Sequence, residues 1–258
     1  FSYLGDAPRG AKFETQAGTL EVSYFADGVL RLRMANDSKP DYGLVIGQPD
    51  EMLDVHTYEP TAGYCIEAGE YSLELSSSPV RLIFKKGEEV IFESITDRGF
   101  LGGLSWMPFA HSDEGWLASF ALASGSPVYG LGEKFGPLNR RGQLVDSWNS
   151  DATTVNSELS YKNAPFAWSP DGWGLFVNTP SRVIHGVGYP QWSHRTYILK
   201  VHDQELDLFL ISGDTPAEIL EKYTFLTGRS PLPPRWSYGV WMSRAYYIGL
   251  LSLFGIFF

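Results

Sequence analysis

Cysteine and metal-binding motifs are nearly absent from this sequence. Its one cysteine, Cys65, excludes a disulfide within the chain and a zinc site built from several cysteines. The five histidines are scattered, and none stands in an H-x-x-x-H or H-E-x-x-H pattern. The sequence also lacks a G-x-S-x-G nucleophile motif and a Walker loop. We therefore expect neither a metal ion nor any other cofactor.

Positive charge and long apolar runs are scarce as well. Twenty Lys and Arg residues stand against thirty Asp and Glu, and the net charge of −10 argues against a nucleic-acid partner. The apolar segment 245–258 has 14 residues, whereas a membrane-spanning helix needs about 20. The first ten residues show no basic start followed by an apolar run, as a signal peptide would. These absences predict no membrane partner and a cytoplasmic location.

Alternating polar and apolar residues fill much of the first hundred positions. The run 19–35 alternates on both sides of Asp27-Gly28, a dipeptide typical of a hairpin turn. Residues 64–94 repeat the plan as three short runs separated by turn residues. Short strands at regular spacing predict a mainly β protein, an antiparallel β-sandwich.

One helix is predicted after these strands. Thr215 is suited to cap it, Pro216 fits its first turn, Glu218 completes a capping box and Gly228 ends it. The Pro-rich stretch that follows is typical of a stiff connector, and SYGVWMS, residues 237–243, is expected to form a further buried strand. We therefore expect a sandwich domain over 1–230 and a separate segment over 231–258.

The segment 146–166 has the residue types of a sugar site. Such sites combine an aromatic platform with amides and charged groups that bond to hydroxyls. Three glycines precede the segment, at 130, 132 and 136, and permit sharp backbone turns. An equally good interpretation is a loop rich in Asn and Asp that is held by its own turns. The candidate sugar-binding residues are Trp148, Asn149, Asp151, Lys162 and Asn163.

Several motifs, in this order, resemble glycoside hydrolase family 31, above all its α-xylosidases and then its α-glucosidases. They are YGLGEKFGPLNRRGQ, SWNSD, YKNAPF, GLFVNTP and GDTPAEILEKYTFLTGRSPLPPRWSYGVW. The resemblance covers roughly residues 10–244 and implies a sandwich like that of galactose mutarotases. It also implies that PPRWSYGVWMSR corresponds to the first strand of a (β/α)8 barrel, of which only this strand remains here.

The resemblance further implies a substrate, and it implies that the barrel carries the catalytic residues while a loop of the sandwich contacts the sugar. The family cleaves terminal α-linked glucose or xylose with retention, using two carboxylates on later barrel strands. No residue here corresponds to either, so we assign no catalytic residue. The W-N-x-D loop would reach over the barrel, with Asp151 contacting a sugar hydroxyl and Trp148 shaping the wall. The expected carbohydrate partner is an α-xyloside or an α-glucoside.

Three functional hypotheses follow. The first is a truncated α-glycosidase that keeps the rim of the sugar pocket and binds carbohydrate weakly at most. The second is a freestanding carbohydrate-binding module, and the third is a hydrolase with a new site on the sandwich.

Residues 246–258 are expected to be buried, either on their own sheet or against another copy of the chain in a homo-oligomer, because exposure of so apolar a run is unfavourable.

Overall fold

A computed structural model describes residues 1–35, 42–60, 63–98, 105–152 and 158–242. The chain divides into two compact units, Phe1–Gly228 and Arg229–Phe258. Nearly all of the regular secondary structure lies in the first unit. Its strands are β1 (Ser2–Ala7), β2 (Gly10–Thr15), β3 (Gly18–Ala26), β4 (Val29–Ala35), β5 (Val55–Tyr58), β6 (Tyr64–Ala68), β7 (Tyr71–Ser77), β8 (Val80–Lys86), β9 (Glu89–Glu93), β10 (Asp97–Arg98), β11 (Ser105–Trp106), β12 (Phe109–Ser112), β13 (Gly115–Ala121), β14 (Tyr129–Gly130), β15 (Gln143–Ser147), β16 (Phe166–Ser169), β17 (Trp173–Val177), β18 (Val183–Val187), β19 (Thr196–Val201) and β20 (Leu206–Ser212).

The strands form one large sheet and several smaller ones. The eight-stranded sheet has the order β1-β2-β3-β4-β20-β17-β16-β14. Two five-stranded sheets have the orders β12-β13-β19-β18-β15 and β5-β6-β7-β8-β9, and β10 pairs with β11. A bridge between Ser94 and Phe120 joins the two five-stranded sheets. The strand pairs are antiparallel, so the predicted antiparallel sandwich is confirmed.

The main core lies between the eight-stranded sheet and the two five-stranded sheets. All three sheets contribute buried side chains to one cluster, for example Leu32, Leu73 and Leu199. A histidine is among the buried polar residues: His185 on β18 is 1% exposed, and its Nδ1 lies 2.9 Å from the hydroxyl oxygen of Tyr197. Burial lowers the pKa of His185 to about 3, because the charged imidazolium is poorly solvated there.

The predicted hairpin at Asp27-Gly28 is confirmed. Strands β3 and β4 pair across it, and Gly28 has the positive φ of 65° that such a turn requires. Alternation along β4 sends Leu30, Leu32 and Met34 into the main core. The two arginines between them point to the opposite face of the sheet, where Arg31 pairs with Asp207 of β20 and Arg33 with Glu205, just before β20.

The predicted helix is confirmed as α1 (Pro216–Thr227). The Thr215 side chain accepts a hydrogen bond from the Glu218 N–H at 3.3 Å, as a capping residue should. The Glu218 carboxylate accepts from the backbone N–H of Asp214, at 2.8 Å, rather than from that of Thr215. At the other end, Gly228 has a φ of 92° and its N–H bonds to Thr224 O.

Helix α1 covers part of the outer face of the eight-stranded sheet. Ile219 and Leu226 of the helix are fully buried against Phe25, Phe176 and Phe209 of the strands. This second apolar cluster explains why β20 has no exposed residue. Its even-numbered leucines face the main core, while Phe209 and Ile211 face the helix.

The second unit corrects one prediction. Residues 237–242, expected to belong to a first barrel strand, contain no strand. A short 3-10 helix occupies Arg235–Tyr238, and Trp241 Nε1 donates back to Ser237 O at 2.9 Å. A β-strand needs a hydrogen-bonded neighbour, and the described residues of this unit supply none. The predicted burial of residues 246–258 falls outside the described residues. Within the described part of the chain, no helix has the length and apolar character needed to cross a membrane.

Candidate functional site

The glycine-rich stretch begins with β14, at the end of the eight-stranded sheet. Its backbone runs so close to residues 162–164 that a side chain would not fit. Gly132 has a φ of 77°, and a Cβ placed there would lie 2.3 Å from Lys162 O. Because only glycine combines this conformation with this close approach, Gly132 positions the neighbouring loop.

Two backbone hydrogen bonds fasten the glycine-rich stretch to that loop. The Leu131 N–H donates to Phe166 O at 2.8 Å, and the Glu133 N–H donates to Lys162 O at 2.8 Å. Leu131 itself has a positive φ of 65° and is fully buried. The glycine-rich stretch, which is anchored in the sandwich, therefore holds the loop in place.

Arg140 stabilises the glycine-rich stretch from within. Its side chain is 3% exposed and donates to Pro137 O at 3.0 Å, Gly130 O at 3.2 Å and Gly132 O at 3.4 Å. Burial lowers the pKa of its guanidinium. Arg140 thereby supplies hydrogen-bond donors to three backbone carbonyl groups with one side chain.

Asn163 organises the loop that carries the candidate sugar-binding residues. Its Nδ2 donates to Trp148 O at 2.8 Å, Asn149 Oδ1 at 2.9 Å and Ser160 O at 3.1 Å. Its backbone N–H also donates to Asn149 Oδ1, at 3.0 Å, while its own Oδ1 accepts from Ser160 Oγ at 3.1 Å. The amide of Asn163 is thus used within the loop, and it fixes where Trp148 and Asn149 lie.

A cleft of about 580 Å³ opens beside this loop, and we call it the Trp148 cleft. Trp148 forms part of its rim with 51% of its surface exposed. Tyr223 of α1 lies at the cleft and stacks on Phe166, with 3.8 Å between ring centres and an angle of 3°. The lining includes Leu44, Trp148, Asn149, Asn163, Phe176 and Tyr223. Aromatic surfaces beside amides are suited to a ligand with one apolar face and several hydroxyls.

Two of the five predicted residues lie outside this lining. The Asp151 carboxylate accepts a hydrogen bond from the Tyr161 hydroxyl, and its side chain is exposed. Lys162 forms an ion pair with Glu133 at 3.5 Å, and both side chains are at least 70% exposed. An exposed ion pair of this kind contributes little to stability. The structure therefore brings Trp148, Asn149 and Asn163 together at the cleft and leaves Asp151 and Lys162 outside its lining.

Charged groups fix the strand that leads into the cleft. Asp146 on β15 receives a two-pronged set of hydrogen bonds from Arg182, with a shortest distance of 2.5 Å. Lys134 donates to the backbone oxygen of Asp146, also at 2.5 Å, and burial lowers the pKa of its amine. Across the described ranges, no group of three or more His, Cys, Asp or Glu side chains is arranged to hold a metal ion.

Three residues of this region are not recognisable from the sequence as part of a site. Phe176 and Tyr223 come from a strand and a helix that are distant in sequence from the loop, and periodicity marks them only as apolar positions. Arg140 stands in a basic pair that resembles a solvated surface. The neighbouring glycines were the available signal, because a turn leaves carbonyl groups that need a donor.

The profile of the glycosyl hydrolase 31 N-terminal galactose mutarotase-like domain matches residues 19–184. The chain belongs to this family. The resemblance seen in the sequence motifs is thereby confirmed, and with it the galactose-mutarotase-like sandwich.

Curated relatives of this family 31 chain include α-xylosidases. An α-xylosidase of Emericella nidulans is 31% identical over 92% of this chain and 32% of its own length. An α-xylosidase of Lactiplantibacillus pentosus is 41% identical over 46% of this chain and 15% of its own length. The chain thus spans about a third or less of the length of these relatives.

Solved structures show the same fold. A family 31 dextranase of Flavobacterium johnsoniae, complexed with glucose, superposes over 93% of this chain and 30% of its own, with a TM-score of 0.75 and 22% identity. A family 31 α-xylosidase from a soil metagenome, complexed with xylose, covers 93% of this chain and 36% of its own, with a TM-score of 0.74 and 19% identity.

Proposed function

We propose that this family 31 domain forms one wall of the sugar pocket in an α-glycosidase of the α-xylosidase type. The observation that supports it is the grouping of Trp148, Asn149 and Asn163 at one cleft above Phe176 and Tyr223. Two curated α-xylosidases among the relatives point to the same class of substrate, an α-xyloside or a closely related α-glucoside.

Each residue has a distinct role in this proposal. The half-exposed Trp148 ring is the platform for the apolar face of the sugar. The Asn149 amide, which is exposed, donates to a hydroxyl, while Asn163 acts as a positioning residue through its bonds to Trp148 O and Asn149 Oδ1. Asp151 and Lys162 contact hydroxyls at the outer margin of the loop.

The same proposal implies that the chain alone binds sugar but does not hydrolyse it. Retaining glycoside hydrolysis needs two carboxyl groups about 5–5.5 Å apart, and no residue of these 258 matches the family motif for either. Weak carbohydrate binding without turnover is therefore expected. An open cleft with one wall buries little of the surface of a sugar. The favourable free energy of binding that remains after the entropic cost of association is therefore small.

Titration calorimetry with methyl α-D-xylopyranoside tests the proposal. We expect weak binding that Trp148→Ala and Asn149→Ala each abolish, with little change in melting temperature for Trp148→Ala and a small decrease for Asn149→Ala, which loses two hydrogen bonds from Asn163. Asp151→Ala should also weaken binding. Met52→Ala is the matched control, because Met52 is 91% exposed and lies outside the cleft lining.

Three outcomes would contradict the proposal. Binding that survives both Trp148→Ala and Asn149→Ala would place the site elsewhere. Micromolar affinity of the isolated chain would favour a freestanding carbohydrate-binding module. Release of an aryl leaving group from an α-xyloside, lost on mutation of a residue of this chain, would show a catalytic site on the sandwich.

A further inference from the structure

A second cleft, of about 370 Å³, opens on the outer face of the eight-stranded sheet. We call it the Arg33 cleft. Its floor is formed by side chains of β4, of β20 and of the turn that precedes β20, and the segment 42–49 forms one side. Backbone hydrogen bonds hold that segment in place: the N–H groups of Ile46 and Gly47 both donate to Leu226 O. None of the residues that line the Arg33 cleft also lines the Trp148 cleft.

The floor of the Arg33 cleft carries paired charges. Arg31 donates to both carboxylate oxygens of Asp207, at 2.8 and 2.6 Å, and Arg33 donates to Glu205. Both acids are 6% exposed, whereas the two arginine side chains are about 30% exposed. Asp203 also lines the cleft, so the described lining residues comprise two arginines and three acids. This near balance disfavours a phosphate or a polycation and favours a neutral ligand rich in hydrogen-bonding groups.

Two groups at the cleft have unused hydrogen-bonding capacity. Asn178 Nδ2 donates to Asp207 Oδ2 at 2.7 Å, but Asn178 Oδ1 is buried and has no partner among the described residues. Among the residues that the structure describes, the Arg33 side chain makes one hydrogen bond, through Nε. Both of its Nη atoms are therefore available to a ligand. A buried acceptor without a donor is costly. A ligand hydroxyl in the cleft accepts from the Arg33 Nη atoms.

The side of the cleft supplies apolar surface. Tyr42 is 42% exposed at the cleft, and Val45 and Pro49 lie in the same wall. An exposed aromatic ring beside planar carboxylate, amide and guanidinium groups matches the two surfaces of a pyranose. The C–H face packs on the ring, and the hydroxyls point to the polar floor. The volume lies within the range of small-molecule sites.

We infer that the Arg33 cleft is a second binding site for a neutral pyranose unit, separate from the Trp148 cleft. Arg33 donates to a ring hydroxyl through its Nη atoms, and Tyr42 packs against the sugar ring. The site does not depend on the proposed role of Trp148. It would hold a sugar unit of a longer or branched carbohydrate away from the Trp148 cleft.

An NMR titration of the ¹⁵N-labelled full chain with methyl α-D-glucopyranoside and methyl α-D-xylopyranoside tests this inference. We expect saturable shifts of the backbone amides of residues 45–48 and of the Asn178 side chain. Tyr42→Ala should weaken this binding by about fivefold through loss of the aromatic contact. Gln48→Ala, at a second exposed lining residue, should weaken it as well.

Two control variants test whether the binding is specific to the Arg33 cleft. Tyr58→Ala removes a tyrosine of similar exposure, 46%, that does not line the Arg33 cleft, so binding should be unchanged. Trp148→Ala should also leave the shifts of residues 45–48 intact. The inference is overturned if no saturable shift occurs there, if Tyr58→Ala weakens binding as much as Tyr42→Ala, or if inorganic phosphate binds more tightly than either sugar.

Discussion

Replacing Gly132 with alanine should destabilise the protein through two separate effects. The first is conformational, because a φ of 77° costs an L-residue with a side chain about 1–2 kcal/mol. The second is steric. The new Cβ would lie 2.3 Å from Lys162 O, 2.7 Å from Ala164 N and 2.8 Å from Asn163 Cα. Overpacking of this kind costs about 1–3 kcal/mol, so the total loss should be about 2–5 kcal/mol.

Gly142→Ala is the matched control for this substitution. Gly142 has a φ of 83°, close to that of Gly132, but a Cβ added at Gly142 would have no atom within 4 Å. It should therefore show the conformational cost alone, about 1–2 kcal/mol. The difference between the two variants isolates the contact between the glycine-rich stretch and residues 162–164.

Urea unfolding followed by circular dichroism measures the unfolding free energies of the two variants. Sugar titration shows whether the loop still binds. Because Asn163 fixes Trp148 and Asn149, displacement of residues 162–164 should also weaken sugar binding in Gly132→Ala but not in Gly142→Ala. Equal unfolding free energies for the two variants would refute the argument that this close approach supports the loop.

Three further predictions concern the rest of the sandwich. Thr215→Ala removes the helix cap and should lower the unfolding free energy by about 1 kcal/mol in urea titrations; no loss would show that the cap is redundant. Because the pKa of His185 is about 3 in the fold against an ordinary 6.5, the unfolded state binds the proton more tightly, so stability should fall as pH falls from 6.5 towards 3. The slope should approach about 1.4 kcal/mol per pH unit, and His185→Gln should lack this component; equal slopes in urea titrations at several pH values would contradict it. Gly186→Ala would place a Cβ 2.5 Å from the Trp192 ring and should alter tryptophan fluorescence; an unchanged spectrum and stability would show that the ring adjusts freely.

Elements that depend on neighbouring residues could be predicted from the sequence. The hairpin at Asp27-Gly28 and the cap at Thr215 follow from turn and capping chemistry within a few positions, and both are present. The predicted barrel strand was wrong over residues 237–242, because a strand depends on partners that its own sequence does not contain.

The candidate site could be predicted in part. The loop supplied Trp148, Asn149 and Asn163 as one group because they lie close together in sequence. The aromatic residues beside them, Phe176 and Tyr223, reach the cleft through the packing of a strand and a helix. No local pattern distinguishes such positions from ordinary core residues, and the same holds for the buried Arg140.

The stacking of Tyr223 on Phe166 has a consequence for how substrate preference can change during evolution. Tyr223 contributes to the cleft and also packs beside the apolar cluster under α1. A substitution there that suits a new sugar would disturb helix packing at the same time. Leu44 and Trp148 are 36% and 51% exposed and belong to neither apolar core cluster. We therefore expect preference for one sugar over another to diverge at the rim, while Tyr223 changes slowly.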